Sequence, residues 1–317
     1  MNSYSRIGWA TVIAFIPAFT CPVAHTEVAP AGHAQPERSI QAKVLMGLPG
    51  IVPRTDGSIL FNHTMVRFQA GEQHTDIARR RIISVTSGEE RIETGGTAGK
   101  VARMLIPYGG GLAVGAITHK KIGLLTIEYL DISGQYHGAI FLASADDIAN
   151  LEHEILPPYA NPPAQTTTIQ CAKGEVQANT VQVDMIGMEE TSAFPPEDRV
   201  LLYENLIKQL QSEKTIATVY RAGDKSPAAT CVEFKVHLQA IPFKKGDQAV
   251  RASVGPLGYF IGTTKLTYHL TITTKSGSTV LDRDMKASES SDTDSLNITK
   301  VVSKAVVKNL KKSRKQG

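Results

Sequence analysis

The sequence predicts an α+β protein built from two modules, and three observations carry that expectation. Apolar residues alternate with polar ones in short runs through most of the first half, which is the period of a half-buried strand. In the second half, strand-like runs are interleaved with two segments whose apolar residues recur every three or four positions, the period of a helix packed on one side. Between the halves stands PPYANPPAQ, Pro157 to Gln165, where four prolines deny the backbone a helix or a central strand. A length of 317 residues suits this division, at about 150 residues per domain. The boundaries read as a signal segment over 1–24, a disordered leader over 25–43, a first module over 44–156, a linker over 157–165, a second module over 166–312 and a basic tail over 313–317.

At the amino end, Arg6 precedes the apolar run IGWATVIAFIPAF from Ile7 to Phe19. At about 20 residues a bilayer span is longer than this, whereas the core of a secretory signal fits, with a cut after Ala24 or Thr26. The expectation is therefore a periplasmic or secreted protein. Cys21 raises the alternative of an outer-membrane lipoprotein, but Phe19 and Thr20 depart from the small residues that precede a lipidated cysteine. The following HTEVAPAGHAQPERSIQAK has no apolar period and reads as a leader.

In the first module, Ile59, Phe61, Thr64, Val66 and Phe68 roughly alternate within SILFNHTMVRF, and Ile82 and Val85 follow. Leu125, Ile127 and Tyr129 alternate in LLTIEYLDISG, Asp131 to Gly134 turn the chain, and GAIFLA returns as a strand. Ser144 then caps a helix carrying Ile148, Leu151 and Ile155 on one face, with Asp146 and Asp147 in its first turn. The order "LTIEY, DISG, IFLA, amphipathic helix" resembles bacterial pleckstrin-homology-like domains, which implies an antiparallel sheet closed by one helix.

The run MLIPYGGGLAVGAITHKKIG invites comparison with phosphate-binding loops. A Walker loop framed on Gly110 and Gly115 would have Ala116 and Ile117 where Lys and Ser or Thr belong. A dinucleotide fingerprint started by Gly109 and Gly111 would meet Val114 where its third glycine belongs. The run is therefore expected to be a tight turn or small insertion between strands, with a mobile apolar flap as the alternative.

The second module opens on VQVDMIGM as a strand, followed by FPPEDRVLLYENLIKQLQ, whose prolines and acids mark a helix start. Val200, Tyr203, Leu206, Ile207 and Leu210 give that helix an apolar face. ATVYRA, EFKVHLQAI, KLTYHLTITT and TVLDRDM read as strands, the last two a hairpin turned by KSGS. SLNITKVVSKAVVKNL closes the module as a helix with Leu296, Val301, Val302, Ala305, Val306 and Leu310 inward and Asp294 or Ser295 as its cap. The result is an α/β sandwich with two helices packed on a mixed sheet. The helix LLYENLIKQLQ, the strand EFKVHLQAI, the loop VRASVGPLGYFIGTTKL and the hairpin YHLTITTKSGSTVLDRDM together resemble an uncharacterised domain family of exported and lipid-anchored Gram-negative proteins. In outline they are also similar to the amino-terminal domain of Tol-B and to lipoprotein activators of cell-wall synthases. The resemblance implies docking or assembly and transfers no catalytic residue.

Catalytic and metal motifs are not legible. The nine histidines are scattered, Glu152-His153-Glu154 places its groups at adjacent positions, and neither an H-E-x-x-H helix nor a G-x-S-x-G elbow occurs. Asp282 and Asp284 share a strand face, which suits a proton-sharing pair or, with Arg283 between them, a charged edge strand. Cys171 and Cys231 form one disulfide or stand as two buried thiols; a bridge of that span would stabilise by roughly 4 kcal/mol. Arg79-Arg80-Arg81 and the tail KKSRKQG are candidates for an anionic membrane surface or for solvated ends. Asn62-His-Thr64 and Asn297-Ile-Thr299 match the glycosylation pattern by coincidence, given the bacterial resemblance. A net charge of +4 argues against nucleic acid as a partner. No cofactor is expected.

These readings point to a non-enzymatic envelope protein that binds a protein or another envelope component. Sheet edges or the glycine loops at Gly109, Gly110, Gly111 and Gly115 and at Gly255, Gly258 and Gly262 would make the contact. The alternatives are an exported hydrolase whose site is dispersed in sequence and a membrane-surface adaptor using the basic tail.

Overall fold

The computed structural model describes residues 38–93, 119–155, 176–188, 194–244, 264–289 and 297–314. Seven strands make an antiparallel sheet: β1 Arg38–Met46, β2 Thr55–Phe61, β3 Met65–Ala70, β4 Gln73–Ala78, β5 Ile82–Glu93, β6 His119–Leu130 and β7 Tyr136–Ala143. Their spatial order is β4-β3-β2-β1-β7-β6-β5. Helix α1, Ala145–Ile155, closes this sheet. Ser144 caps it as expected, its Oγ accepting from the Asp147 amide at 3.2 Å. Ile148, Leu151 and Ile155 pack with Val44, Ile59, Val66, Phe68, Leu125, Ile127 and Phe141 into one core.

Two details of this sheet correct the sequence reading. Strand β1 begins at Arg38, inside the stretch expected to be a disordered leader, because Ala42 and Val44 alternate into the core and Arg38 to Val44 pair with Phe61 to Thr55. SILFNHTMVRF is a hairpin rather than one alternating run. The Asn62 carboxamide oxygen accepts the amides of Thr64 and Met65 at 2.9 and 3.0 Å, a local turn that competes successfully with strand continuation.

The second sheet is mixed. It contains β8 Gln177–Val183, β9 Gly187–Met188, β10 Thr218–Tyr220, β11 Val232–Lys244, β12 Thr264–Thr274 and β13 Thr279–Glu289. The order is β10-β8-β11-β12-β13, with β9 also paired to β11; β8 runs parallel to both β10 and β11, and β11-β12-β13 is antiparallel. Helices α2, Pro196–Gln211, and α3, Ile298–Ser313, cover one face. Their Leu202, Leu206, Leu210, Ile298, Val302, Val306 and Leu310 meet Val181, Val236, Leu238, Leu266, Leu270 and Ile272. At roughly 1.5–3 kcal/mol for each fully buried aliphatic side chain, this face holds the module together. The closing helix begins at Ile298, with Asn297 in the cap position and no capping bond from its side chain; Asp294 and Ser295, the caps expected from the sequence, lie outside the described residues.

From Pro36 onward the two sheets form one compact unit. Helix α2 joins them. The sequence gives it one apolar face, yet ten of its 16 residues are buried, because Val200 and Leu201 turn away from the second sheet and pack on Leu124 and Ile140 of the first. Strands β6 and β7 are therefore covered on both sides, by α1 and by α2. Gly138 allows the approach: a Cβ there would lie 2.2 Å from Val200 Cγ1, so the strand and helix can touch only at a glycine.

Candidate partner-binding surface

The face of the second sheet opposite its helices is polar and open, as strand alternation requires once the other face is buried. Lys235 and His237 on β11, Thr267, His269 and Thr271 on β12, and Asp282, Asp284 and Lys286 on β13 lie on it. Strand β13 is the edge of the sheet: it pairs with β12 from Thr279 to Glu289, and among the described residues no strand lies beyond it.

Asp282 and Asp284 do share a face, but a histidine stands between them. His269 sits opposite Asp284 and reaches both carboxylates, Nδ1 to Asp284 at 2.7 Å and Nε2 to Asp282 at 2.5 Å. Thr271 Oγ1 adds a bond to Asp282 at 3.1 Å. The bonds from Asp284 and Asp282 hold the imidazole above its ordinary titration range. The cluster is exposed, and no group of His, Cys, Asp and Glu among the described residues is arranged to hold a metal. Its chemistry is that of a charge clamp that ties two acids to one base across the hairpin. On the opposite side of β13, Arg283 donates to Asn309 of α3 at 2.6 Å, which fixes the strand against the helix.

A second polar cluster lies elsewhere, in the junction between the sheets. Glu128, on β6 and 1% exposed, accepts from Tyr136 Oη at 2.6 Å, from Ser84 Oγ at 2.9 Å and from Arg199 of α2. Glu204, 5% exposed on α2, takes Arg221 in a two-pronged pair at 2.7 and 2.8 Å and the Gly138 amide at 3.1 Å. Burial opposes the charge on Arg221, but its bonds and attraction to Glu204 outweigh that and hold its pKa above the usual value. The same guanidinium lies 5.7 Å from the Tyr203 ring and donates to the Tyr136 carbonyl at 3.1 Å. The phenols of Tyr136, Tyr129 and Tyr203 are pushed up chiefly by burial. Burial, then Arg221, lowers His137, which stacks on Tyr129 at 5.4 Å. The backbone closes the seam: Tyr136 N donates to Ala222 O at 2.8 Å, and a Cβ on Gly223 would lie 2.5 Å from Gly134 O. Paired and enclosed, these groups position two sheets against each other, with only Arg199 Nε and His137 Nδ1 of the cluster buried without a hydrogen-bond partner among the described residues.

The residues singled out by sequence meet mixed outcomes. Gly109, Gly110, Gly111 and Gly115, Gly255, Gly258 and Gly262, and Cys171 lie outside the described residues, as do the proline-rich stretch and the amino-terminal segment. Cys231 is buried and disulfide-bonded, which removes the two-thiol reading for that residue. Arg79 donates to the carbonyls of Asn62 and Glu154, so one member of the basic cluster ties the hairpin to α1 rather than standing free. Glu154 pairs with Arg38; the side chains of Glu152 and His153 lie outside the described set. Arg314 of the expected tail is anchored to Thr215 and Asn179. Sequence reasoning missed Glu128, Arg199, Glu204, Arg221, His137 and His269. The available signal was Glu128, an acid inside the apolar run LLTIEYL.

No protein-family model and no curated protein matches the chain. Among solved structures it is similar to a leucine-to-methionine variant of PelC from Paraburkholderia phytofirmans, crystallised as a dodecamer. That similarity is 13% identical, covers 45% of this chain and 92% of the other, and has a TM-score of 0.29. Among the described residues no helix is long and apolar enough to cross a membrane.

Proposed function

We propose that the chain is a non-enzymatic binding or assembly module of the bacterial cell envelope, reached through its signal segment, that receives a partner strand along β13. The observation that carries this reading is the edge itself. Eleven residues of β13 are held in register by β12 and backed by α3, while their outer backbone groups have no strand partner among the described residues. An incoming strand gains main-chain hydrogen bonds along such an edge, and side chains of the open face supply selectivity. Charge usually guards a free edge. Here Asp282 and Asp284 project onto the sheet face and are bonded to His269, leaving the rim accessible to a partner. The buried junction supports the same reading, because its ion pairs and hydrogen bonds fix the platform against which β13 is held.

The test is capture of partners from envelope extract by the mature chain, followed by hydrogen exchange on the purified complex. Protection of residues 279–289 on binding is the expected result. Protection confined to another surface removes the β13 assignment. Recovery of the unprocessed chain among cytosolic proteins, or turnover of an ester, peptide or glycan without a partner, removes the module reading altogether.

A further inference from the structure

At the far side of the second sheet from β13, a groove of about 460 Å³ lies between the start of β8, the loop after α2 and the carboxyl end of α3. Among the described residues it is lined by Asn179, Lys214, Thr215, Ala217, Lys311 and Arg314, three cations and no acid. Arg314 is fixed there by two neutral acceptors: Nη1 donates to the Thr215 carbonyl at 2.7 Å and Nη2 to the Asn179 carboxamide oxygen. Its place is set but its charge is not cancelled, and three of a guanidinium's five N–H donors remain after those two bonds. The acceptor wall is itself rigid. Asn179 has a left-handed φ of 61°, its carbonyl accepts the Ala217 amide at 2.8 Å, and its amide donates to Glu233 at 2.5 Å. Lys311 shares its charge with Glu213 at 2.9 Å, and Lys214 is exposed with no ion pair among the described residues. Counting Glu213 against Lys311, and with Glu233 behind Asn179 outside the lining, Arg314 and Lys214 remain as lining cations with no ion pair among the described residues.

We propose that this groove binds a phosphate group, with Arg314 as the preset donor and Lys214 as the mobile one. A tetrahedral anion accepts from both at once, which neither a single carboxylate-binding lysine nor a freely solvated tail provides. The phosphate belongs either to a soluble ligand or to a lipid headgroup, and the two differ in experiment. The site shares no residue with β13, so it stands or falls independently of the strand-docking reading.

Amide shifts of the mature chain are followed during titration with inorganic phosphate, and flotation is measured with vesicles of phosphatidylglycerol and of phosphatidylcholine. The proposal expects shifts at Thr215, Ala217 and Lys311, and Lys214→Gln to weaken binding at least about fivefold. Lys312→Gln, an exposed neighbour outside the lining, leaves it unchanged. Phosphate binding without flotation assigns a soluble ligand; flotation on the anionic vesicles alone, lost in Lys214→Gln, assigns the headgroup. Equal loss in both variants shows general attraction to a basic helix end and overturns the site, as does absence of binding to either probe.

Discussion

Replacing Glu204 by leucine tests the claim that the two sheets are held by buried charge. The carboxylate accepts three bonds, two from Arg221 at 2.7 and 2.8 Å and one from the Gly138 amide at 3.1 Å, and is 5% exposed. Removing one partner of a buried pair costs roughly 3–5 kcal/mol, because the other charge stays behind unpaired. Arg221 would keep the Tyr136 carbonyl and the Tyr203 ring, which places the cost near the low end, at about 3 kcal/mol. With a urea slope of about 3 kcal/mol per molar, the midpoint falls by about 1 M. Far-UV circular dichroism is the suitable probe, since the chain's single tryptophan, Trp9, stands in the expected signal segment. Arg221→Met alone should cost a similar amount, and the double variant should recover a coupling of at least about 2 kcal/mol. Additivity of the two changes within about 0.5 kcal/mol would refute the reasoning.

Three further outcomes follow from the same geometry. Gly138→Ala drives a methyl into Val200 and should cost about 1–3 kcal/mol, with Val200→Ala restoring part of the loss; an unchanged unfolding midpoint would mean that α2 does not rest on β7. The two histidines should bend the pH profile of stability in opposite senses. His269, raised by its carboxylates, contributes below the ordinary value of 6.5 and loses that contribution as pH rises through its folded pKa, so His269→Gln flattens the alkaline-side fall. His137, depressed by burial, is neutral in the fold and its contribution is lost as pH drops from 6.5 through its lowered pKa, so His137→Phe flattens the acid-side fall. Parallel profiles for wild type and variants would sink both assignments. Non-reducing peptide mapping should find Cys231 joined to Cys171, and reduction should cost roughly 4 kcal/mol; a Cys231 peptide joined to Cys21 instead would overturn that pairing.

Period alone made most of the elements legible. The runs EFKVHLQAI and KLTYHLTITT are strands because one face of each is continuously apolar, and α2 starts at the expected prolines. The failures share a physical origin. In β6, Leu125, Ile127 and Tyr129 alternate inward as read, but Thr126 and Glu128 are buried too, since a second layer covers the face that alternation assigns to water. The cover comes from α2, and Arg199 and Arg221, the partners of Glu128 and Glu204, lie 71 and 17 residues away. Local pattern cannot report a partner at that distance. The Asp282–Asp284 pair was visible at spacing two, whereas His269 enters only through the β12–β13 register. The glycine runs drew notice through composition and fall outside the described residues, while the groove at Arg314 arises from three segments none of which is distinctive alone.

The double covering of β6 and β7 limits how this protein can be divided. Severed at the proline-rich stretch, the amino-terminal half would present Leu124 and Ile140 to water beside the carboxylate of Glu128 stripped of Arg199. The other half would carry Val200 and Leu201 bare beside a Glu204–Arg221 pair that has lost the Gly138 amide and the Tyr136 carbonyl. Each fragment would expose apolar surface and buried charge to water, so the two sheets can be inherited, folded and degraded only together.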